Sequence, residues 1–535
     1  MTPRTAADRA VLGARIRTLD RERPWATAVA MRGGTIVAVG ADDEVRDACD
    51  ARTEILDGAG LAIVPGLTDS HLHPVWATDL AVGVSAEACA DQAAFAAALR
   101  AERERVGPEG LVRAWSVDYA LLRGEDMDAR ALERLAGGPA LIVFHDLHTY
   151  LATPDVIARA GVTGEERFPD ASQIVCRDGR PTGELREFSA FFRVVEALPG
   201  ATPEARRSRV AAVLAELNAL GVTGAHVMDG SPETYDLLRE LEARGELTLR
   251  LIVPLWVKPE HSGAVHDAYA RHVDAHGELW RGGTAKFFID GVVETGTAWL
   301  EEPDARGEGT RPYWPDPERY AAAVAAFASA GFACTTHAIG DRAVRAALDA
   351  YRAAAHPRAG MHRIEHLETL GDEALARVAA EGVAASMQPL HMRWREADGE
   401  DEWALRLGPE RVGRGFRTGD LLRSGAVVTL GSDWPVARAD PRYGMAWARL
   451  RREPGARSRA AFEPDQRLGA LQALAGYTTA PAVVAGETER SGRIAPGMRA
   501  DLTGLGADPV DAPADELVDA PVHLTVVGGR VVHRA

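Results

Sequence analysis

Pro65-Gly66-Leu67-Thr68-Asp69-Ser70-His71-Leu72-His73-Pro74 is the stretch on which fold and chemistry both turn. Residues 61–64 are apolar and predict a short buried strand. Pro65 and Gly66 interrupt it, Leu67 and Thr68 extend it, and two histidines follow at i and i+2. On extended backbone, residues two apart point the same way. Two imidazoles at one strand end can therefore grip a single metal ion. Alone, a His-x-His pair is more often a surface or structural feature, so its meaning depends on what the rest of the chain supplies.

Downstream, apolar strands are predicted at 221–228, 248–255, 285–289, 332–337, 362–366, 383–387 and 426–431. Ala- and Leu-rich helical stretches at 203–220, 317–330, 340–356 and 371–381 separate most of them. Counting the strand that ends at His73, the alternation predicts eight parallel strands in a distorted (β/α)₈ TIM barrel. That fold typically needs about 250 residues before insertions. The alternative is an open doubly wound sheet, which would gather catalytic groups around one switch point.

The two ends of the chain read differently. Residues 11–19, 26–31 and 35–39 predict strands, with a hairpin turn at Arg32-Gly33-Gly34. Residues 501–505, 522–527 and 530–533 do the same around Gly528-Gly529. Such short β-segments rarely bury themselves alone, which predicts one discontinuous β-sandwich; two independent appendages are the alternative. Residues 85–202 break the alternation with helical segments at 91–105 and 128–136 and strands at 111–116 and 140–145. The predicted organisation is a sandwich of 1–60 plus 492–535, a barrel of 61–84 plus 203–491, and an inserted α/β subdomain, 85–202, over the barrel mouth.

Composition narrows the partners. The chain has 535 residues, 46% hydrophobic and 26% charged, with a formal net charge of −17. That balance argues against a nucleic-acid partner, whose phosphates need a basic face. Four cysteines without Cys-x-x-Cys spacing make neither a disulfide framework nor a zinc ribbon. The first 20 residues lack a signal-peptide core, and no run of about 18 apolar residues occurs. The expectation is a cytoplasmic protein acting on a small molecule, with no membrane partner; a homodimer stays open.

Active sites of such barrels sit at the C-terminal strand ends. The predicted ends carry His71 and His73 (strand one), Lys286 (four), His337 (five), His366 (six) and Asp433 (eight). Each alone is unremarkable; together they form one candidate centre. Imidazole and carboxylate suit Zn²⁺ and its neighbours. A lysine inside an apolar strand is costly when charged and solitary, so its pKa should fall. A neutral amine can add carbon dioxide to become an anionic carbamate able to hold two metals. Pairing of Lys286 with Asp290 or Glu294 is the equal alternative. Asp433 is a candidate ligand that also shuttles a proton, since metal-held water can have a pKa near 7. Its simpler alternative is a helix cap, a task Ser432 could share.

These residues resemble the amidohydrolase superfamily, and more narrowly its YtcJ-like branch, which includes N-substituted formamide deformylases. The resemblance rests on the opening stretch and on Lys286-Phe287-Phe288-Ile289-Asp290-Gly291, His337-Ala338-Ile339-Gly340-Asp341-Arg342-Ala343, His362-Arg363-Ile364-Glu365-His366 and Gly431-Ser432-Asp433-Trp434-Pro435-Val436. Asp178-Gly179-Arg180-Pro181-Thr182-Gly183-Glu184-Leu185-Arg186-Glu187 extends it into the insertion. It implies hydrolysis of a C–N bond with divalent metal, most simply zinc, one or two per chain. It implies one metal on His71, His73 and Asp433, and a second on His337 and His366 with Lys286, carboxylated, bridging. A single metal with unmodified Lys286 is the alternative. Departures fall near the expected substrate. Asp146-Leu147-His148 stands where the branch often has Asp-Gly-His, and Arg113-Ala114-Trp115-Ser116-Val117-Asp118 replaces a Gly-rich segment.

Pocket candidates are His148, Trp115, Glu294, Gln388 and His391, each with a structural alternative. Glu365 and Asp341 are candidates to orient neighbouring histidines. Lactam or ester hydrolysis, or a non-hydrolytic isomerase or decarboxylase, would use the same scaffold.

Overall fold

The computed structural model describes residues 6–122, 127–396 and 398–535. Eight parallel strands follow one another around a nearly closed barrel: β1 (Leu67–Leu72), β2 (Val222–Val227), β3 (Arg250–Trp256), β4 (Trp280–Phe288), β5 (Ala333–Ala338), β6 (Arg363–His366), β7 (Ala384–Met387) and β8 (Val428–Leu430). The order of neighbours is the order of the chain, as in a β/α barrel and unlike a doubly wound sheet with its switch point. The helices between them start where the local sequence dictates. Thr202 caps Pro203–Ala219, its Oγ1 accepting from the Ala205 N–H at 3.2 Å. Asp316 caps Pro317–Ser329, accepting from the Glu318 N–H at 3.0 Å. Both helices open on proline, whose fixed φ suits a first turn with no N–H partner to lose.

The barrel closes by an unusual seam. Among the described residues, β8 and β1 share no ladder, only an isolated bridge between Leu72 and Trp434. The buried Asp69 carboxylate spans the gap. It accepts from the Ser432 N–H at 3.1 Å and from the His71 N–H at 3.0 Å. The Asp433 N–H donates to the His71 carbonyl at 2.7 Å, and the His73 N–H to the Trp434 carbonyl at 2.9 Å. Close approach needs glycine: a Cβ on Gly431 would lie 2.6 Å from the His71 nitrogen.

The opening stretch is not one interrupted strand, as its sequence suggests. Ala62–Pro65 pairs with Leu502–Leu505 and Arg15–Arg17 in a six-stranded sheet, and only after Gly66 does the chain enter β1. Both segments are buried and apolar, so hydrophobicity alone cannot mark where one sheet hands over to another. The six-stranded sheet takes strands from both ends of the chain. It packs on a four-stranded N-terminal sheet through Val11, Ile16, Val29, Met31, Leu56, Ile63, Leu502 and Val526.

The insertion builds its own six-stranded sheet. The predicted helices and strands appear as Gln92–Val106, Ala129–Ala136, Val112–Val117 and Ala140–Phe144. Thr149–Ala152, Gln173–Arg177, Arg180–Arg186 and Val84–Ser85 complete the sheet and were not anticipated. Arg180–Arg186 carries charges and a glycine, so it lacks the apolar run by which strands are recognised. No helix among the described residues is long and apolar enough to cross a membrane.

Gly66 is the hinge between sandwich and barrel. A Cβ there would meet Thr223 Oγ1 at 2.3 Å and the Asp501 Cβ at 2.9 Å. Gly66→Ala should therefore lower unfolding free energy by about 1–3 kcal/mol, the usual range for overpacking. A urea unfolding curve reads this directly, and an unchanged midpoint would contradict the tight hinge.

Candidate metal centre and active site

The strand ends converge on one buried cavity at the C-terminal mouth of the barrel. His71, His73, His337, His366, His391 and Asp433 line it, with His148 and Glu294 above them. Its volume is about 50 Å³. Trp76, Phe188, Phe288 and Trp394 supply apolar wall.

Each histidine of the pair on β1 is oriented by its own carboxylate. His71 Nδ1–H donates to Glu365 at 2.6 Å, and His73 Nδ1–H donates to Asp229 at 3.1 Å. A carboxylate only accepts, so these contacts fix the ring proton on Nδ1 and turn Nε2 inward. Glu365 is itself held by Arg363 Nε at 2.6 Å and by the Thr335 hydroxyl. Asp229 also accepts from the Trp76 N–H at 2.7 Å. The two inward Nε2 atoms lie 3.2 and 3.1 Å from Asp433 Oδ1, yet that oxygen lacks hydrogen-bond geometry.

Electrostatics follow from this packing. Burial alone would lower the His73 pKa, but Asp229 and Asp433 outweigh it and push it up to about 9. Burial likewise raises Asp433, and the His71 and His73 imidazoles overcome it, holding the carboxyl well below its usual range. Burial keeps His337 and His366 well below the ordinary histidine value, hence neutral with a lone pair to share. Asp433 and His366 both have positive φ, 59° and 74°. Left-handed backbone at non-glycine residues is strained and clusters at functional sites.

Lys286 is fully buried in β4, and its Nζ has no hydrogen-bond partner. Burial pushes its pKa down to about 8, against the pull of Glu365 and Asp433. Neither acid considered for it from sequence is available. Asp290 accepts from the backbone N–H groups of Trp299, Ile339 and Gly340. Glu294 pairs with Arg395 at 2.9 Å. Lys286 Nζ, Asp433 Oδ1, His366 Nδ1 and His391 Nε2 are all buried and unsatisfied. Buried polar atoms normally have partners. Four orphans of mainly ligand type in one place fit a group of cations that these residues would hold.

Among the described residues, two trios bring ligand atoms within 4.8 Å of one another: His71, His73 and Asp433, and His366, His391 and Asp433. His337 belongs to neither. Its Nε2–H donates to the Gly291 carbonyl at 3.0 Å. His391, expected only as a pocket residue, stands among the ligand candidates.

The remaining expectations divide. His148 lines the cavity, and its Nδ1–H donates to Glu187 at 2.7 Å. Glu294 also lines it. Trp115 instead packs edge-on against Trp434, 6.5 Å between centroids, beside a separate cavity of about 140 Å³. Gln388 is buried off the cavity and donates to Ser386 Oγ at 3.3 Å. Asp341 touches no histidine; it accepts from the Glu301 N–H at 2.8 Å. Asp229, Glu187, Glu368 and His145 escaped the sequence reading. Asp229 follows β2 directly, so inspecting every strand end for a carboxylate would have found it. Glu187 sits 39 residues from its histidine, beyond any local pattern.

Comparison with known proteins agrees with this architecture. N-substituted formamide deformylase of Arthrobacter pascens is 27% identical, over 98% of this chain and 97% of its own. Putative amidohydrolase YtcJ of Bacillus subtilis (strain 168) is 26% identical, over 97% and 98%. An uncharacterized metal-dependent hydrolase from Pyrococcus horikoshii OT3 superposes with a TM-score of 0.73 at 22% identity, over 95% of this chain and 99% of that one. The model of the amidohydrolase family matches residues 54–533. This chain therefore belongs to the amidohydrolase family.

Proposed function

We propose that this protein hydrolyses the C–N bond of an amide or N-substituted formamide, with His71, His73 and Asp433 holding a divalent metal, zinc in the first instance. The observation that carries the reading is the convergence of two oriented Nε2 atoms on one unsatisfied Asp433 oxygen, 3.2 and 3.1 Å away. Similarity to a formamide deformylase along nearly the whole chain supports the bond type. When bound, such a cation supplies Lewis-acid polarisation of a carbonyl and acidifies water.

The chain's own groups do the rest. Glu365 and Asp229 orient the two rings through Nδ1–H, so a metal that displaced the Nε2 proton of His73, whose pKa is raised to about 9, would meet both Nε2 lone pairs at the centre. Asp433 accepts the proton of the attacking water and delivers it to the departing nitrogen as the C–N bond breaks. The products are a carboxylic acid and an amine. His148, steadied by Glu187, has its pKa raised despite burial, which leaves Nε2–H to hydrogen-bond the substrate oxygen. The apolar wall of Trp76, Phe188, Phe288 and Trp394 suits a compact, largely apolar substituent beside the reacting carbonyl.

Lys286 would join through a carbamate. Its Nζ lone pair forms a C–N bond to carbon dioxide and the nitrogen releases a proton, turning an orphaned amine into an anionic ligand. Its lowered pKa and lack of any acid partner support that role.

Asp433→Asn should lower kcat on a panel of N-substituted formamides by at least about 100-fold, the scale of a lost proton shuttle. Full rate in that variant would refute the mechanism. In H₂¹⁸O the label should enter the acid product; its absence would favour a non-hydrolytic reaction on this scaffold. Protein equilibrated with ¹³C-bicarbonate should give a carbamate carbonyl NMR signal that Lys286→Arg lacks. If wild type gives no such signal, Lys286 acts unmodified.

Glu294 yields a pH prediction. Burial pushes its pKa up to about 7, Arg395 opposing and Glu368 adding to the rise. Between about pH 4.5 and 7 the folded chain then holds a proton that the unfolded chain has lost, so stability falls as pH rises. Glu294→Gln should flatten that part of the urea-midpoint profile; an identical slope in both proteins would discount the shift.

A further inference from the structure

We propose that His226 is a positioning residue for His71, acting from the opposite wall of the barrel through Arg363 and Glu365. The inference rests on the reading of His71 as a metal ligand and adds a residue that no strand-end inspection singles out.

His226 lies in β2 and Arg363 in β6, four strands apart around the eight-stranded barrel and so across its interior from one another. Such interiors are usually filled by branched apolar side chains. Here a buried guanidinium crosses instead. Arg363 Nε–H donates to Glu365 Oε1 at 2.6 Å, and its Nη1–H donates to His226 Nδ1 at 2.9 Å. Nη2 reaches the Met228 sulfur at 3.4 Å, a weak acceptor. The other carboxylate oxygen, Glu365 Oε2, takes the His71 Nδ1–H at 2.6 Å. One chain of hydrogen bonds therefore runs from β2 through β6 to the first histidine of β1.

Counting donors shows what His226 does. A guanidinium only donates, so the ring nitrogen that meets Nη1 must be an unprotonated acceptor. Burial, with Arg363 and Arg281 adding to it, holds the His226 pKa well below the ordinary histidine value and keeps the ring neutral. Without that acceptor a buried, charged N–H is left unpaired, and the guanidinium plane turns to find another partner. The Thr335 hydroxyl also reaches Glu365 Oε1, but one freely rotating O–H does not fix a carboxylate plane. Glu365 then loses its alignment, and with it the His71 ring. His73 is independent of this chain, because its carboxylate, Asp229, is anchored by the Trp76 N–H at 2.7 Å. His226 lines a cavity of about 820 Å³ at the N-terminal ends of β2, β3 and β4, apart from the one that His71 and Asp433 line. Replacing it leaves the ligand side chains and the barrel mouth in place.

The test is read without substrate. Full-length protein is stripped by chelator, and its Zn²⁺ affinity is measured by competition with a chromophoric chelator, with near-ultraviolet circular dichroism to verify folding. His226→Leu should bind Zn²⁺ about 10-fold more weakly than wild type. His226→Asn, whose amide oxygen can stand where Nδ1 accepts, should restore wild-type affinity. His226→Phe decides should His226→Leu not fold. In a His71→Ala background, His226→Leu should leave the residual affinity unchanged, since the chain acts through that ring alone. Wild-type affinity in both His226→Leu and His226→Phe, an equal loss in His226→Asn, or a loss that persists without His71 would overturn the proposal. A wild-type protein that binds no Zn²⁺ would overturn the metal reading and this one with it, whereas unchanged binding in the variants overturns the positioning role alone.

Discussion

The buried carboxylate of Asp69 is the constraint on which the rest depends. It replaces the missing ladder between the first and last barrel strands by accepting backbone N–H groups from Ser432 and His71. Burial raises its pKa to about 6, with Ser432 and His71 opposing the rise, so it stays largely ionised near neutrality. The seam matters because both of its edges carry ligand candidates: His71 and His73 on one, Asp433 on the other. A closed ladder would fix their spacing by strand geometry alone. A carboxylate bridge and a glycine at 431 instead let Asp433 turn back, with positive φ, toward the two imidazoles.

Beyond the seam, the site is ordered by proton placement. Four imidazoles each give a proton away from the centre: His71 to Glu365, His73 to Asp229, His391 to Glu368 and His148 to Glu187. Such contacts orient each ring, and three of the four buried carboxylates are themselves partnered. Arg363 serves Glu365, Trp403 serves Glu368, and the Trp76 N–H serves Asp229. Lys286 Nζ, Asp433 Oδ1, His366 Nδ1 and His391 Nε2 are left unsatisfied at the centre, where a cation would relieve the ligand atoms among them.

Much of this was legible in the chain itself. The 3.6- and 2-residue periodicities gave the strands and helices of the barrel in the right order, because each element must bury one apolar face. The insertion was half legible, since Arg180–Arg186 pairs through backbone groups while carrying polar side chains, and Thr149–Ala152 is too short an apolar run to stand out. His71, His73, His366 and Asp433 were visible because each terminates an apolar strand, a place where a polar side chain is conspicuous. Asp229 and Glu368 were not, since a lone acid beside a strand end has many ordinary explanations.

What the sequence by itself determined is therefore the alternation of elements and the residue types at the barrel mouth, both consequences of local patterning. Only the tertiary structure decided that residues 62–65 and 67–72 serve different sheets, that Lys286 has no acid partner among the described residues, that Trp115 packs on Trp434 beside a separate cavity, and that His391 stands near Asp433. The physical reason is the same in each case. These facts concern distances between side chains far apart in the chain, and such distances are set by strand register and the barrel seam, which no local pattern encodes.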